Sequence, residues 1–412
     1  MAARQRLSAW FACALLTVLA SAAAQAADEA PPIRHVFVIV LENEGYERTF
    51  GPKTEAPYLA RNLAGRGALL TQYFGTGHNS LDNYLAMISG QAATPETRAD
   101  CRTFEEFVQT GTGPDGQAIG HGCVYPAGVQ TLAGQLGAAG LGWRGYMEDM
   151  GNDPERGAAT TCGHPPIGGA DLTQRAEAPS DAVPAGDQYA TRHDPFVYFH
   201  SIIDTPECDR SVVRLEQLPI DIATVATTPA FSFITPNLCH DGHDQPCANG
   251  DKGGLGAADG FLQKWVPIIL AAPAFKLDGL LIVTFDEGDS SSRTPKPGGG
   301  SVVTFTGASC CNQQPGPNLG SFPQTSSFRN NDYVTFGFGG DRIGAVLISP
   351  FIKPGTVSTV PYNHYSLLES LEDLFRLGGH LGYAGQDGLV GFGADVFTRP
   401  PEHRAGSPPG SP

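Results

Sequence analysis

The chain has 412 residues, 42 of them acidic and 26 basic, for a formal charge of −16, with 41% apolar side chains. The apolar share suffices for a large buried core. The acidic balance repels polyanions, so nucleic-acid or anionic-lipid binding is excluded as the main task, and an anionic substrate must be drawn in locally, by a metal or by backbone dipoles.

Residues 1–26 have the layout of an export signal: Arg4 and Arg6, a mostly apolar run from Leu7 to Ala20, then Ala24-Gln25-Ala26. That run is too short to span a bilayer, and no later stretch approaches the required length. The expectation is a secreted or periplasmic chain without stable membrane insertion. Cys13 falls in this leader; the other cysteines suit disulfides in an oxidising compartment. Proximity favours Cys101–Cys123, Cys162–Cys208 and Cys239–Cys247. Adjacent Cys310 and Cys311 either bridge each other or each take another partner. With no linker and no internal repeat in sight, residues 27–398 are expected to form a single domain, followed by a disordered Pro/Gly-rich tail over 399–412.

Residues 34–41 hold a continuous β-branched run, the mark of a strand buried on both faces, which delivers Glu42-Asn43-Glu44 at its end. A helix is expected over 57–70. It leads into Gly75-Thr76-Gly77-His78-Asn79-Ser80, where Ser80 takes the cap position of a helix with apolar Leu81, Tyr84, Leu85 and Ile88. Residues 91–127 read as loop, Val129–Leu136 as helix and Trp143–Met147 as a short strand. A polar stretch over 151–192 ends at Arg192-His193-Asp194-Pro195. A second buried strand over 230–235 ends near Asn237, Asp241 and His243, and a helix spans Ala258–Leu270. Leu280–Phe285, the third strand, ends at Asp286-Glu287. Residues 288–340 read as an unusually long Ser/Gly/Pro-rich loop. Ile343–Ile348 is the fourth buried strand, and His364 opens a helix running to Leu377.

Strands alternating with helices predict an α/β fold, a mostly parallel central sheet with helices on both faces and long disulfide-tied loops. Chemistry in such sheets gathers beyond the carboxyl ends of the strands, where three of these four place acidic, His or Asn side chains. Glu42-Asn43, Ser80, Asp241 with His243, Asp286-Glu287 and His364 are the candidates. Singly, each has a plain structural explanation: a helix cap, a turn, a loop charge. Together they suit a hard or borderline divalent cation, which would lower the Ser80 hydroxyl's pKa and neutralise a phosphoryl oxygen. His243 or His364 would then protonate a leaving alcohol. His78 and His193 are candidates for the pocket wall and Arg192 for a phosphate clamp.

These residues resemble a bacterial phosphoesterase family that includes secreted acid phosphatases and non-specific phospholipases C, part of the alkaline-phosphatase-like superfamily. The similar blocks run from Val36 to about Leu377: the strand ending in Glu42-Asn43; Gly77-His78-Asn79-Ser80-Leu81-Asp82-Asn83-Tyr84; Arg192-His193-Asp194-Pro195-Phe196; Pro236-Asn237 with Asp241 and His243; Asp286-Glu287; and Asn363-His364. The resemblance implies an alkaline-phosphatase-like fold and Ser80 as a nucleophile that becomes phosphoserine. It implies a metal held by Glu42, Asn43, Ser80, Asp286 and Glu287, and a second cluster of Asp241, His243 and His364. Asn83 and Asn237 are substrate-binding candidates from the same blocks. Asp241 and His243 stand one residue apart where many two-metal relatives have three between, so one metal site is expected and a second left open. Asp82-Asn83-Tyr84 replaces the Pro-Asn-Arg of phospholipase-type members, which favours the acid phosphatase branch. The expected function is a metal-dependent phosphomonoesterase acting on a phosphate monoester. A phospholipase C-type phosphodiesterase and a catalytically silent binding protein are the alternatives. A sulfatase lacks support, because no Ser/Cys-x-Pro-x-Arg segment is present.

Overall fold

The computed structural model describes residues 31–156, 159–288, 291–328 and 330–399. The expected leader, and the expected tail beyond Arg399, lie outside the described residues. Arg399 itself is docked, its amide donating to the Phe351 carbonyl at 3.0 Å.

The run from His35 to Leu41 (β1) is the centre of an eight-stranded sheet. In chain order the other strands are Ala68–Leu70 (β2), Trp143–Met147 (β3), Val212–Arg214 (β4), Phe231–Thr235 (β5) and Gly279–Phe285 (β6). A separate small sheet follows, made of Ser291–Pro295 (β7), Ser301–Phe305 (β8), Gln324–Phe328 (β9) and Asn331–Thr335 (β10); Ala345–Ile348 (β11) and Thr356–Ser358 (β12) return to the large one. The spatial order is β12-β2-β11-β6-β1-β5-β3-β4. Every pairing in it is parallel except the two made by β11. All of β5 and β6, and β1 from Val36 onward, are buried, so both faces of the sheet's centre are covered.

The fourth buried strand is therefore present but reversed. The chain leaves β6 at its carboxyl end, builds the small sheet there and re-enters from that same end. The expected long loop over 288–340 is largely this small sheet, in the order β7-β8-β10-β9; its Ser- and Thr-rich strands, set between glycine-containing turns, lack the apolar alternation that announces a strand. The helix expected over 57–70 is also corrected. Tyr58–Leu63 winds as a π-helix, Ala64–Arg66 adds a turn, and the chain then joins the sheet as β2. Gly67 is the break. A Cβ there would lie 1.9 Å from the Leu347 carbonyl oxygen, so only glycine lets β2 approach β11. The expected loop over 91–127 contains a hairpin, Val108–Thr112 with Ala118–His121. The helix expected at Val129–Leu136 starts later, at Leu132, where Thr131 caps the Gly134 amide at 3.1 Å.

Three longer helices matter for the site: Ser80–Ser89 (α1), Gly254–Ala271 (α2) and His364–Leu374 (α3). Asn363 starts α3 with a capping box, accepting from the Ser366 amide at 3.1 Å while its own amide donates to Ser366 Oγ at 3.3 Å. α3 packs against α1, which ties the late histidine block to the helix that opens at Ser80. The sequence-adjacent disulfides Cys101–Cys123, Cys162–Cys208 and Cys239–Cys247 are formed, and Cys310 bridges Cys311.

Candidate active site

β5, β1 and β6 lie side by side and parallel, so their carboxyl ends present Asp241, Glu42-Asn43 and Asp286-Glu287 along one edge of the sheet. The loop that brings Ser80 to this edge is locked by Asn83. Its Oδ1 accepts from the amides of Thr76 (2.7 Å) and Gly77 (3.0 Å), and its Nδ2 donates to the carbonyls of Gly77 (2.9 Å) and Asn79 (3.0 Å). A buried amide with so many fixed partners is a clamp. Asn83 is thus not on the pocket wall, contrary to its expected place. Gly77 has no room for a side chain, since a Cβ would meet Asp82 Oδ2 at 2.3 Å. Asn79, at φ 141°, takes the cap position, and Ser80 is the first helical residue rather than the cap.

From there Ser80 Oγ donates to Glu42 Oε2 at 2.6 Å. Glu42 also accepts from Asn43 Nδ2 at 2.9 Å and from the Tyr84 hydroxyl at 2.7 Å. Asp286 Oδ1 accepts from the amides of Asn43 (2.8 Å) and Glu287 (2.6 Å), while its Oδ2 is buried without a hydrogen bond. Asp241 Oδ2 is likewise unpartnered. His193 stacks on Tyr84 with its Nε2 3.4 Å from Glu42 and its Nδ1 3.8 Å from Asp241, and neither nitrogen makes a hydrogen bond.

Such crowding sets the protonation. Burial, then the charge of Asp286, pushes the Glu42 carboxyl well up; burial, then Glu287, does the same to Asp286, and burial, then Glu42, to Asp241. Burial and the Arg192 guanidinium push His193 well below the usual imidazole range. Buried carboxylates that raise one another's pKa, with free oxygens, are a donor set for a hard divalent cation. Among the described residues no three His, Cys, Asp or Glu side chains already form a ready cage. Glu42 is instead engaged by Ser80, Asn43 and Tyr84, and Glu287 Oε2 accepts from the Asn79 amide at 2.6 Å. The residue types fit a cation.

The remaining expected residues divide. Arg192 and His243 line the same pocket as Asn43, Ser80 and Glu287, a cavity of about 470 Å³. Contact with Asp244 raises the pKa of the half-exposed His243 imidazole to about 9. Three others do not face this pocket. His78 is buried between Asp341 (2.8 Å) and Glu287 (3.2 Å). Asn237 folds its own turn, its Oδ1 accepting from the amides of Cys239 and His240 at 3.0 Å and its Nδ2 donating to Asp149 at 2.6 Å. His364 Nε2 donates to the Asp286 carbonyl at 2.5 Å while Nδ1 faces the Tyr73 hydroxyl at 3.2 Å, and burial lowers its pKa to about 4. The structure adds Tyr84, Asp100, Arg102, Asp171, Gln174 and Arg175, which line the cavity or contact Glu42. Arg102 and Arg175 sit in the loops expected to be cysteine-tied, with no local pattern to mark them.

The phosphoesterase family model matches residues 52–378. A phosphatidylinositol-3-phosphatase of Mycobacterium tuberculosis is 28% identical over 66% of this chain and 69% of its own length. A phosphate-repressible acid phosphatase of Penicillium chrysogenum is 26% identical over 56% of this chain and 43% of its own length, so the match spans less than half of that relative. A solved structure, of a protein in the alkaline phosphatase superfamily from Vibrio parahaemolyticus, aligns at 11% identity and TM-score 0.46 over 85% of this chain and 68% of that one. With the model matched from ahead of the Ser80 loop through α3, and so over every strand of the large sheet except β1, the chain belongs to the phosphoesterase family.

Proposed function

We propose that the protein is an exported, metal-dependent phosphomonoesterase of the acid phosphatase type, acting through a phosphoserine on Ser80. The observation that carries this reading is the 2.6 Å bond from Ser80 Oγ to Glu42 Oε2 at the edge of a pocket that also holds Arg192 and His243. Ser80 Oγ attacks phosphorus and its proton passes to Glu42, the carboxylate to which it already donates. Arg192 holds the phosphoryl oxygens. The ester P–O bond breaks as the P–Oγ bond forms, and His243 gives its proton to the departing alcohol oxygen. Water then attacks the phosphoserine, giving one proton to the now neutral His243 and keeping the other on the phosphate; the P–Oγ bond breaks and Glu42 returns its proton to Ser80. Glu42, Asn43, Ser80, Asp286 and Glu287 would hold the divalent cation, which when bound supplies charge neutralisation at the phosphoryl group. Asp241 orients the His243 loop by accepting from the His243 amide at 2.9 Å. His364 positions Asp286 through its backbone carbonyl.

Export is supported by the disulfides and by the leader-like first residues; no helix among the described residues is long and apolar enough to cross a membrane. The test is hydrolysis of 4-nitrophenyl phosphate against its phosphocholine diester, with manganese, magnesium, calcium or zinc, across acid to neutral pH. Fast monoester and slow diester cleavage is expected. The reverse order makes the protein a phosphodiesterase, and hydrolysis of neither contradicts an enzymatic reading.

A further inference from the structure

We propose that the pocket is built for a phosphate ester carrying a second anionic group, bound by Arg175 with Arg102 beside it on the pocket wall. This rests on the phosphatase reading above. The pocket's lining comes from two sources. Asn43, Asn79, Ser80 and Glu287 stand at the sheet edge, whereas Asp171, Gln174 and Arg175 come from one loop segment, joined by Asp100 and Arg102.

The acids of that second group are spent on the protein itself. Asp171 Oδ1 accepts from Thr173 N (2.8 Å) and Thr173 Oγ1 (2.7 Å), and its Oδ2 from Gln174 Nε2 (2.7 Å). Asp100 Oδ1 accepts from the Leu81 amide at 3.2 Å. The arginines are differently placed. The exposed Arg175 side chain has no hydrogen bond or ion pair among the described residues, and Arg192, 8% exposed, makes one long bond of 3.5 Å to the Thr173 carbonyl. The charges of Asp100, Glu42 and Asp241 bear on Arg192, so it is Arg175 whose positive charge is left available on the pocket wall, in a chain whose overall charge is −16.

Arg175 is also carried on a fixed backbone. The buried Arg156 guanidinium donates to the carbonyls of Leu172 (2.8 Å) and Arg175, and to that of Asp187 (2.7 Å). Gln174 Nε2 bonds the Asp100 carbonyl at 2.8 Å, and the Thr191 amide bonds Thr173 Oγ1 at 2.8 Å. A guanidinium on a held backbone, facing a cavity of about 470 Å³ that exceeds the needs of one phosphoryl group, suits bidentate capture of a carboxylate or second phosphate.

The test compares 3-phosphoglycerate with glycerol 3-phosphate, which differ by a carboxylate, and fructose 1,6-bisphosphate with fructose 6-phosphate, which differ by a phosphate. At low ionic strength the member carrying the second anionic group, in at least one pair, is expected to show a kcat/KM higher by about tenfold, the scale of one charge-assisted hydrogen bond. The preferred pair tells carboxylate from phosphate. The ratio should shrink with added salt, collapse in Arg175→Ala and recover in part in Arg175→Lys. Calorimetric binding of the same pairs to Ser80→Ala protein should show the same preference without turnover. Ratios near one in both pairs, or a ratio that Arg175→Ala leaves unchanged, would overturn the proposal. Equal cleavage of both members leaves the phosphatase reading standing and removes the second-anion site; a binding preference without any cleavage does the opposite.

Discussion

His78 and His193 are both buried, both within reach of acids, and both close to the start of α1, yet their surroundings differ. His78 is bracketed by Asp341 and Glu287, and Asp341 in turn accepts from the Ala308 amide at 2.7 Å. Burial opposes its charge, but those two acids outweigh it and raise its pKa to about 9. That cluster pins the small β7–β10 sheet region to the Ser80 loop. His193, beside Glu42 and Asp241, has hydrogen bonds at neither nitrogen, and the Asp241 oxygen it faces has none either. A fold can satisfy buried polar groups when it needs a clamp. Where they stay unsatisfied, a ligand is the expected partner.

The sharpest way to break this contrast is at Ser80. Ser80→Ala should lower ester hydrolysis by about three orders of magnitude, roughly 4 kcal/mol in the barrier, while leaving urea unfolding within about 1 kcal/mol of wild type. A variant that keeps more than a tenth of the rate removes Ser80 from the nucleophile role. On the clamp side, His78→Ala leaves Asp341 and Glu287 without their buried partner and should cost about 3 kcal/mol of stability, read from the urea midpoint. A loss below about 1 kcal/mol would mean His78 is no clamp. Next, a divalent cation at a hundredfold excess over its Kd should stabilise the protein by about 2.7 kcal/mol. Thermal melts with manganese and with chelator measure this, and Asp286→Asn should abolish it. The smallest effect concerns a buried acid far from Ser80. Glu372, on α3, accepts from the Leu381 amide at 2.9 Å, and burial raises its pKa from 4.5 to about 7. Its folded pKa exceeds the unfolded one, so stability is fullest below 4.5 and falls as pH rises toward 7. Glu372→Gln should match wild type at acid pH and exceed it by about 1 kcal/mol above pH 7, measured by urea unfolding.

The β-branched runs made β1, β5 and β6 legible, because a strand buried on both faces has no polar alternation to confuse it. The residues at their ends were legible for the same reason: the strand's end fixes where Glu42, Asp241 and Asp286 must be. Direction was not legible for β11, since antiparallel return depends on where the 291–335 insert sits, and nothing in Ala345–Ile348 encodes it. Family blocks overreached at Asn83, Asn237, His78 and His364. Each lies within a matched block, but hydrogen bonds to backbone or neighbouring acids absorb their side chains, and only coordinates reveal that. Arg175 escaped notice because its place on the pocket wall comes from Arg156 holding a distant loop.

Whether Ser80 carries the phosphoryl group is read by trapping the intermediate. Acid quenching during turnover of 4-nitrophenyl phosphate, followed by peptide mass spectrometry, should find one phosphoryl group on the peptide containing Ser80 and none in Ser80→Ala. Steady hydrolysis with no covalent phosphate on that peptide, or with phosphate on a different residue, would contradict Ser80 as its carrier.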